Sequence, residues 1–464
     1  MPPDFPAWSS DFQHHFRRLR SSGSSPRLHQ FQLLFQAWLP DFLLAPEEEG
    51  PHSRVRQWPL RLTFWTFLWQ VAQAGASCRE AVYQAIQLCG LQARKAPALN
   101  DGPYCQARAK LPLERLEQIH RTLVADAQRQ IVTKDLWQGH RVFVVDSTTV
   151  TLADTPDNQA QFPQQSVQKP GCGFPILRLG GLFCLATGLL IAWATGNWHG
   201  HELQLLNQLW ESLQPGDVLL GDRGFCTYAV LARCQLLGLH GVFRARGPAR
   251  CDRRRGRRLG PGEWEVGWKK PSGCPRTVDE VLWAQMPEQL TLRLVRCRAG
   301  RPGFRTREVF LITPLLDRQD YPAEMLSALY LRRWEMELSF RHLKTPLQME
   351  HLSCRKPHTV QRELWMHLMV HNLVRRLMQQ SARHYWVSLP RLSFAGALAG
   401  ARRTAEALLQ ARTRRQRREL YDPLLQIIAE DAVRERPGRR EPRAVKRRPK
   451  PYPLLTRHRR HFTQ

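Results

Sequence analysis

Three acidic residues in this 464-residue chain lie in sequence contexts that suit metal-dependent phosphoryl transfer. Asp146 follows the apolar run 142–145, Asp222 follows the apolar run 218–221, and Glu337 lies within a predicted helix. Carboxylates that are gathered together repel one another, and a divalent cation relieves that repulsion. Oxygen ligands suit Mg²⁺, or Mn²⁺ in its place, better than zinc. Two such ions about 4 Å apart would activate the attacking oxygen and stabilise the leaving oxygen.

Either aspartate alone has a simpler interpretation. Small and polar residues follow both of them, so each could be a turn or cap residue. The spacing along the chain does not decide between the two interpretations, because any fold can contain it.

A single helix of about six turns is predicted to carry Glu337. Pro322 suits its first turn, since proline has no N–H to leave unpaired there, and Pro346 ends it. At about 100° per residue, one narrow face carries a phenol, a carboxylate and three cations, namely Tyr330, Arg333, Glu337, Arg341 and Lys344. That face suits a phosphate chain near a metal. The alternative is a solvated face on which Arg333 and Glu337 form an ordinary ion pair.

Four residues on this face are spaced as Tyr330-(2)-Arg333-(3)-Glu337-(6)-Lys344. This spacing resembles the tyrosine–arginine–glutamate–lysine signature of the insertion-sequence-four family of bacterial DDE transposases. Other family motifs have similar counterparts: Leu-Tyr-Leu-Arg-Arg-Trp-Glu-Met-Glu at 329–337, Val-Val-Asp-Ser-Thr at 144–148, Gly-Asp-Arg-Gly-Phe at 221–225, and Glu363-Leu364 followed by His-Asn-Leu-Val-Arg at 371–375. The likeness covers roughly residues 100–380.

The resemblance implies a reaction and a set of roles. It implies cut-and-paste transposition through nicking, a DNA hairpin at the transposon end, hairpin opening and strand transfer into target DNA. Asp146, Asp222 and Glu337 would be the ligands of two Mg²⁺ ions. The phosphates would be held by Tyr330, Arg333 and Lys344, with Arg341 and Arg223 as further candidates. The DNA partners would be the terminal inverted repeats and the target duplex, bound by a homodimer on synapsed ends.

A DNA hairpin requires a base to leave the stack, and an aromatic side chain that receives the base lowers the cost. Some relatives place a tryptophan in the strand before the glutamate helix, where this chain has Phe310. Trp264 and Trp268 are the other candidates, and core packing is the alternative for all three. Trp334 is predicted to pack the helix against the sheet.

The charge composition of the chain favours an anionic partner. The 69 Lys and Arg residues exceed the 40 Asp and Glu residues, for a net charge of +29, which indicates a nucleic-acid partner. A membrane surface or the ribosome is the alternative. The 11 cysteines form no Cys-x-x-Cys motif and indicate reduced thiols without structural zinc. No signal-peptide pattern begins the chain, so a cytoplasmic, nucleoid-associated protein is expected.

Residues 180–198 carry no charge and could be mistaken for a membrane span. Their glycines, with Thr187-Gly188 at the middle, favour two buried strands joined by a tight turn. No membrane contact is therefore predicted.

The predicted fold is α/β, and the family resemblance implies that its catalytic core is RNase H-like. The expected parts are a helical N-terminal region with possible DNA binding (1–138), the first part of the core (139–245), a β-rich insertion (246–308), the second part of the core (309–380) and a helical C-terminal region with a basic tail (381–464). Residues 98–103 are predicted to be a loop.

Two other functions use the same features. One is a domesticated DNA-binding protein without chemistry, although all three carboxylates are present. The other is a metal-dependent nuclease without strand transfer, which would not need the tyrosine, arginine and lysine of the signature.

Overall fold

The computed structural model describes residues 27–45, 57–246, 256–299, 307–407, 414–433, 455–458 and 461. These residues belong to two compact units. The first comprises the described parts of Met1–Gln130 and Arg341–Val433, and the second comprises those of Ile131–Phe340 and Arg434–Gln464. Most of the predicted basic tail, from residue 434 onward, lies outside the described residues.

The helices in the described ranges, in chain order, are α1 (Arg27–Phe35), α2 (Leu60–Ala72), α3 (Cys78–Leu91), α4 (Asp101–Ala109), α5 (Leu113–Arg129), α6 (Pro156–Gln161), α7 (Glu202–Asn207), α8 (Tyr228–Leu236), α9 (Glu280–Gln285), α10 (Ala323–Arg332), α11 (Trp334–Lys344), α12 (Pro357–His384), α13 (Phe394–Ala407) and α14 (Arg414–Glu430). The strands are β1 (Val142–Leu152), β2 (Ile176–Cys184), β3 (Leu190–Asn197), β4 (Val218–Gly221), β5 (His240–Arg244), β6 (Arg257–Gly260), β7 (Glu263–Lys269), β8 (Gln289–Ala299), β9 (Arg307–Thr313) and β10 (His351–Leu352).

The first unit is mainly helical. Its centre is α12, which packs against α2, α5, α13 and α14. Helix α2 is apolar around most of its circumference, with Trp65 and Trp69 both buried, as expected for an interior helix. Arg376 of α12 forms an ion pair with Asp126 of α5. Since α12 belongs to this unit, the compact units differ from the predicted division, which placed residues 309–380 together in the catalytic core.

The second unit contains a mixed sheet with the strand order β3-β2-β1-β4-β5-β9-β8-β7-β6. The first three strands are antiparallel neighbours, β4 and β5 run parallel to β1, and β9 is antiparallel to β5. Gly188, whose φ is +68°, lies in the turn between β2 and β3. The two-strand interpretation of residues 180–198 and the α/β class are therefore confirmed.

The predicted insertion is β-rich, and its strands extend the sheet. Strands β6, β7 and β8 are antiparallel, and β9 joins them to β5 through the pair Phe243 and Ile312. Residues 247–255 and 300–306 of this region lie outside the described ranges.

Two predictions of local structure were wrong. Residues 101–109 form helix α4 rather than continuing the predicted loop, because the Asn100 side chain accepts a hydrogen bond from the Gly102 N–H at 2.9 Å and caps the helix. The single helix predicted over Tyr330–Lys344 is divided at Arg333 into α10 and α11. There the backbone forms tighter i to i+3 hydrogen bonds, from Arg333 N to Tyr330 O and from Met336 N to Arg333 O, each 3.1 Å long.

None of the helices in the described ranges has both the length and the apolar character that crossing a membrane requires.

Candidate active site

Asp146 and Asp222 lie on neighbouring parallel strands of the second unit. Val144 of β1 is paired with Leu220 of β4, and each aspartate follows its paired residue by two positions. Asp146 lies within β1, which continues to Leu152. Asp222 directly follows the last residue of β4. Because the strands are parallel, both carboxylates are delivered to the same region of the sheet.

A tight turn after β4 positions the Asp222 carboxylate. Its Oδ1 accepts a hydrogen bond from the Gly224 N–H at 2.6 Å. Arg246 donates to the backbone oxygens of Arg223 and Gly224, at 2.8 and 2.7 Å, and thereby ties this turn to the residues after β5. A Cβ atom on Gly224 would lie only 2.9 Å from Asp222 Oδ1, so a larger residue would disturb the turn.

A fourth carboxylate, Glu202, belongs to this cluster and was missed in the sequence. It is the first residue of α7, and its Oε1 accepts a hydrogen bond from the Ser147 hydroxyl at 2.6 Å. Its Oε2 would lie 3.4 Å from a Cβ atom on Gly224. A glutamate in the first turn of a helix is ordinary, since it complements the helix dipole, and therefore gave no specific signal.

Glu337 is brought to the sheet by the packing of α11. Phe340, three residues further along, contacts the Phe183 ring with centroids 5.2 Å apart. It also lies over Gly181 of β2, the residue paired with Asp146, where a Cβ atom would be 3.4 Å from the Phe340 ring. The missing side chain at Gly181 thus allows the helix to approach the strand next to Asp146.

Arg333 lies between Asp146 and Glu337. Its Nη2 is 3.2 Å from Glu337 Oε1, and its Nη1 is 3.8 Å from Asp146 Oδ2. The ordinary ion pair on the helix face is therefore present, and the same guanidinium also contacts the strand carboxylate. Its Nε is buried and makes no hydrogen bond to any residue that the structure describes.

The carboxylates influence one another electrostatically. The pKa of Asp146 is raised to about 6, chiefly by burial and also by the charges of Asp222 and Glu202, although the Ser147 N–H and the Arg333 charge lower it. Burial also raises the pKa of Tyr330, which the neighbouring Arg333 lowers. Negative charge is thus crowded around Asp146, and the Arg333 guanidinium offsets part of it.

Comparisons with known proteins identify the family of the chain. A family model described as a transposase DDE domain matches residues 137–373, about half of the chain. The chain belongs to the DDE transposases. It is similar to the transposase InsG for insertion sequence element IS4 of Escherichia coli (strain K12), with 27% identity over 409 residues, which cover 86% of this chain and 88% of the relative. The predicted resemblance to insertion-sequence-four transposases is therefore confirmed.

One solved structure is also similar to this chain. It is the cryo-EM structure of a piggyBac transposase synaptic complex with hairpin DNA. The match covers 91% of this chain and 88% of that chain, with 10% sequence identity and a TM-score of 0.41.

The transposase brings only some of the predicted residues together. Tyr330 and Arg333 lie beside the carboxylates, and Arg223 is exposed next to Asp222. Arg341 and Lys344 are near the end of α11 and belong to the first unit. Burial lowers the pKa of Lys344, which the Glu350 charge raises. Phosphate contact by these cations stays a prediction.

The predicted ligands do not form a closed metal cage. Among the described residues, no group of three His, Cys, Asp or Glu side chains is placed to hold a metal ion. The donor chemistry nevertheless suits Mg²⁺, because every candidate ligand is a carboxylate.

The candidate aromatic residues pack within the second unit. The Phe310 and Trp264 rings are 6.3 Å apart, and the Trp268 ring lies 6.1 Å from Tyr228, as the core-packing alternative predicts. Trp334 is half-buried, with the Arg333 guanidinium 5.8 Å from its ring, whereas Phe340 packs α11 against the sheet.

Proposed function

We propose that this transposase cuts and pastes DNA through divalent-metal-dependent cleavage at transposon ends, a DNA hairpin intermediate, and strand transfer into target DNA. The observation that carries the proposal is the placement of Asp146 and Asp222 on adjacent parallel strands, with Glu337 joined to Asp146 through Arg333. The sheet order β3-β2-β1-β4-β5, three antiparallel strands followed by two parallel ones, supports an RNase H-like core.

The proposed ligands of two Mg²⁺ ions, or of Mn²⁺ in their place, are Asp146, Asp222 and Glu337. The pKa of Asp146, which is raised by burial and then by the charges of Asp222 and Glu202, supports this assignment, since a divalent cation offsets repulsion among desolvated carboxylates. The chemistry that bound Mg²⁺ supplies is activation of the attacking oxygen and stabilisation of the leaving oxygen. Ser147 and Gly224 orient the neighbouring carboxylates by donating hydrogen bonds to Glu202 and Asp222.

Arg333 is proposed to bind a DNA phosphate. Its buried Nε needs an acceptor, and a non-bridging phosphate oxygen supplies one. Tyr330 lies against the guanidinium, 5.8 Å from ring centroid to Cζ, and restricts its position. Lys344, Arg341 and Arg223 are proposed to hold further phosphates.

The proposed partners follow from the charge and the reaction. An excess of +29 suits double-stranded DNA, both at the terminal inverted repeats and at the target. The reaction requires two transposon ends to be brought together, so a homodimer is proposed. Its proposed location is the bacterial cytoplasm, on nucleoid DNA.

A step-resolved cleavage assay tests the proposal. The purified full-length chain is incubated with Mg²⁺, a plasmid target and a labelled duplex that carries the inverted repeat flanking its coding region, with EDTA as control. Nicked, hairpin and plasmid-joined products are then separated on denaturing gels. We expect all three in that order, and none with EDTA.

The alternatives give different products. Binding without any product would overturn the proposal in favour of a DNA-binding protein without chemistry. Cleavage without plasmid-joined product would indicate a metal-dependent nuclease instead.

A further inference from the structure

One tryptophan of the first unit is exposed at the end of a long helix. Trp386 lies two residues after the last residue of α12, and 83% of it is exposed. It is the only exposed tryptophan in the ranges that the structure describes. Because tryptophan is buried to a large extent in most folded proteins, an indole in this position indicates contact with a partner.

The backbone at Trp386 suits a different residue. Its φ of +57° lies in the left-handed region, which glycine adopts freely and a bulky side chain rarely adopts. The Val387 N–H donates to the Ala382 oxygen at 3.0 Å, and this hydrogen bond closes a Schellman motif, in which glycine is the usual residue at the left-handed position. The end of α12 would therefore form with less strain if glycine replaced the tryptophan.

The three residues before Trp386 are anchored to other helices of the first unit. The Arg383 guanidinium donates to the backbone oxygen of Gln130, directly after α5, and to its Oε1 at 3.3 Å. His384 Nε2 lies 3.2 Å from an Asp422 carboxylate oxygen in α14, and the Tyr385 hydroxyl donates to the same oxygen at 3.4 Å. The indole is thus attached to a fixed backbone, so binding a partner costs little conformational entropy.

The sequence around Trp386 is strongly basic. Residues 364–405 contain no aspartate, glutamate or lysine, and their charged residues are six arginines, namely Arg375, Arg376, Arg383, Arg391, Arg402 and Arg403. Arg391 is exposed, and its backbone oxygen accepts a hydrogen bond from the Val433 N–H at 2.7 Å. Proteins hold a strand of nucleic acid with this combination, in which cations contact phosphates and an aromatic ring contacts a base.

The chemistry of the indole limits what it can contact in DNA. Its flat face attracts another flat ring, and it carries no charge for a phosphate. In a regular duplex the faces of the bases are stacked on one another, so a tryptophan reaches them only where a strand is unpaired or distorted. The proposed reaction produces such strands at nicks and hairpins.

We propose that Trp386 is a stacking site for an unpaired DNA base, with Arg391 contacting a neighbouring phosphate. The site rests on the DNA partner of the proposed function, and it belongs to the helical unit, whereas the proposed metal ligands belong to the second unit. Backbone strain of the kind found at Trp386 is concentrated at residues that bind ligands.

Binding of single strands tests the stacking site. The full-length chain in EDTA is titrated into a fluorescently labelled oligothymidine of about 15 nucleotides, or into a duplex of equal length, and the anisotropy is recorded. We expect Trp386→Ala to weaken single-strand binding about tenfold and duplex binding less than about twofold, because only the single strand offers base faces along its length. Trp386→Phe should keep most of the affinity. Phe42→Ala is the matched control, since it removes another exposed ring of the same unit, and it should change neither affinity.

The stability of one variant separates stacking from packing. Trp386→Gly should keep or raise the urea midpoint of unfolding, since glycine adopts the left-handed conformation without strain. It should also lose single-strand affinity as Trp386→Ala does. A tryptophan that served only the fold would lower the midpoint when it is removed, and that result would contradict the proposal.

Cross-linking locates the contact. The oligonucleotide is prepared with 5-iodouracil and irradiated in the complex, and the tryptic peptide 384–391 is sequenced by tandem mass spectrometry. We expect the adduct at Trp386, with Tyr385 in the same peptide as an internal control for ring reactivity. An adduct confined to other peptides would contradict the assignment.

Two further results would overturn the stacking site. One is equal single-strand affinity in the wild type and Trp386→Ala. The other is an altered oligomeric state of Trp386→Ala in light scattering with unchanged DNA affinity, which would make the tryptophan part of a protein interface. These measurements contain no divalent metal, so they can fail while the cleavage assay succeeds. Missing cleavage products in Mg²⁺ would instead overturn the proposed function.

Discussion

Two arginines of the second unit hold carboxylates in different ways. Arg293, fully buried, donates through Nε to Glu263 at 2.8 Å and through Nη1 to the backbone oxygens of Asp317 and Tyr321, at 3.1 and 2.7 Å. Arg333 contacts its two carboxylates at 3.2 and 3.8 Å and keeps a buried Nε without a hydrogen bond to described residues.

The difference distinguishes a structural ion pair from an arrangement that suits the proposed binding of a DNA phosphate. Around Arg293 the buried charges and donors are satisfied within the protein, so the network ties β7 and β8 to the segment before α10. Around Arg333 the contacts are long and the carboxylates outnumber the cation, which leaves interactions for an external ligand. Breaking the first arrangement should therefore reduce stability, and breaking the second should reduce activity.

The largest expected effect is on catalysis. Asp146→Ala, Asp222→Ala or Glu337→Ala should each reduce Mg²⁺-dependent cleavage of a transposon-end duplex by about 10³-fold or more, because a proposed metal ligand is lost. DNA binding, measured by gel shift, should remain. Glu335→Ala is the control, since Glu335 pairs with Arg332 on the same helix. Full cleavage by any one of the three variants would sink its assignment as a ligand.

The next effect is on folding. Glu263→Gln should lower the free energy of unfolding by about 3–5 kcal/mol, because Arg293 would be left as a buried charge without a counter-ion. Urea denaturation followed by circular dichroism measures the change. In the same strand, Glu265 pairs with the exposed Arg257, and Glu265→Gln should cost less than about 1 kcal/mol. Equal losses in the two variants would erase the proposed distinction.

Loss of Arg333 should slow the hairpin steps of the reaction more than the first nick. Arg333→Ala should slow hairpin formation or opening by about 10²-fold and the first nick by less, because its donors are proposed to hold a phosphate of the bent strand. Lys344→Ala should have the same preference for the hairpin steps. Single-turnover gels report each step separately, with Arg332→Ala as a control. An equal loss at every step would point to general phosphate binding.

The loss of folding stability that ionisation of Asp146 causes should depend on pH. Its folded pKa of about 6 lies above the usual aspartate value of 3.8, so its contribution to stability is fully present below the unfolded pKa and is lost as pH rises through about 6. Without metal, Asp146→Asn should therefore gain stability relative to wild type by about 1–2 kcal/mol between about pH 4.5 and about pH 7.5. Urea denaturation in EDTA measures this difference. A difference that stays constant with pH would contradict the raised pKa of Asp146.

The smallest expected effect concerns Glu202. Glu202→Gln weakens the negative charge beside Asp146 but can keep the hydrogen bond from Ser147, so cleavage should fall by only about tenfold. The Mg²⁺ concentration for half-maximal rate should rise as well, which a merely structural role would not produce. Glu211→Gln, at an exposed position, should change neither value. An unchanged Mg²⁺ requirement would place Glu202 outside the site.

Much of the fold could be predicted from local pattern. The apolar runs before Asp146 and Asp222 predicted strands, and the glycine-punctuated segment 180–198 predicted a hairpin. The break at Arg333 could not be predicted, because the residues around it all favour helix. The extension of the sheet by β6–β9 was also not predicted, since strand partners distant in sequence leave no periodic signal.

The sequence by itself determined which residues carry charge and how they are spaced along single elements. Two aspartates after apolar runs and four signature residues over one helical region were sufficient for the family. Only the tertiary structure decided that Arg333 spans Asp146 and Glu337, and that Glu202 reaches Ser147 across 55 residues. The physical reason is that helix and strand periodicity act over a few residues, whereas contacts between elements depend on packing, here the approach of Phe340 to Gly181.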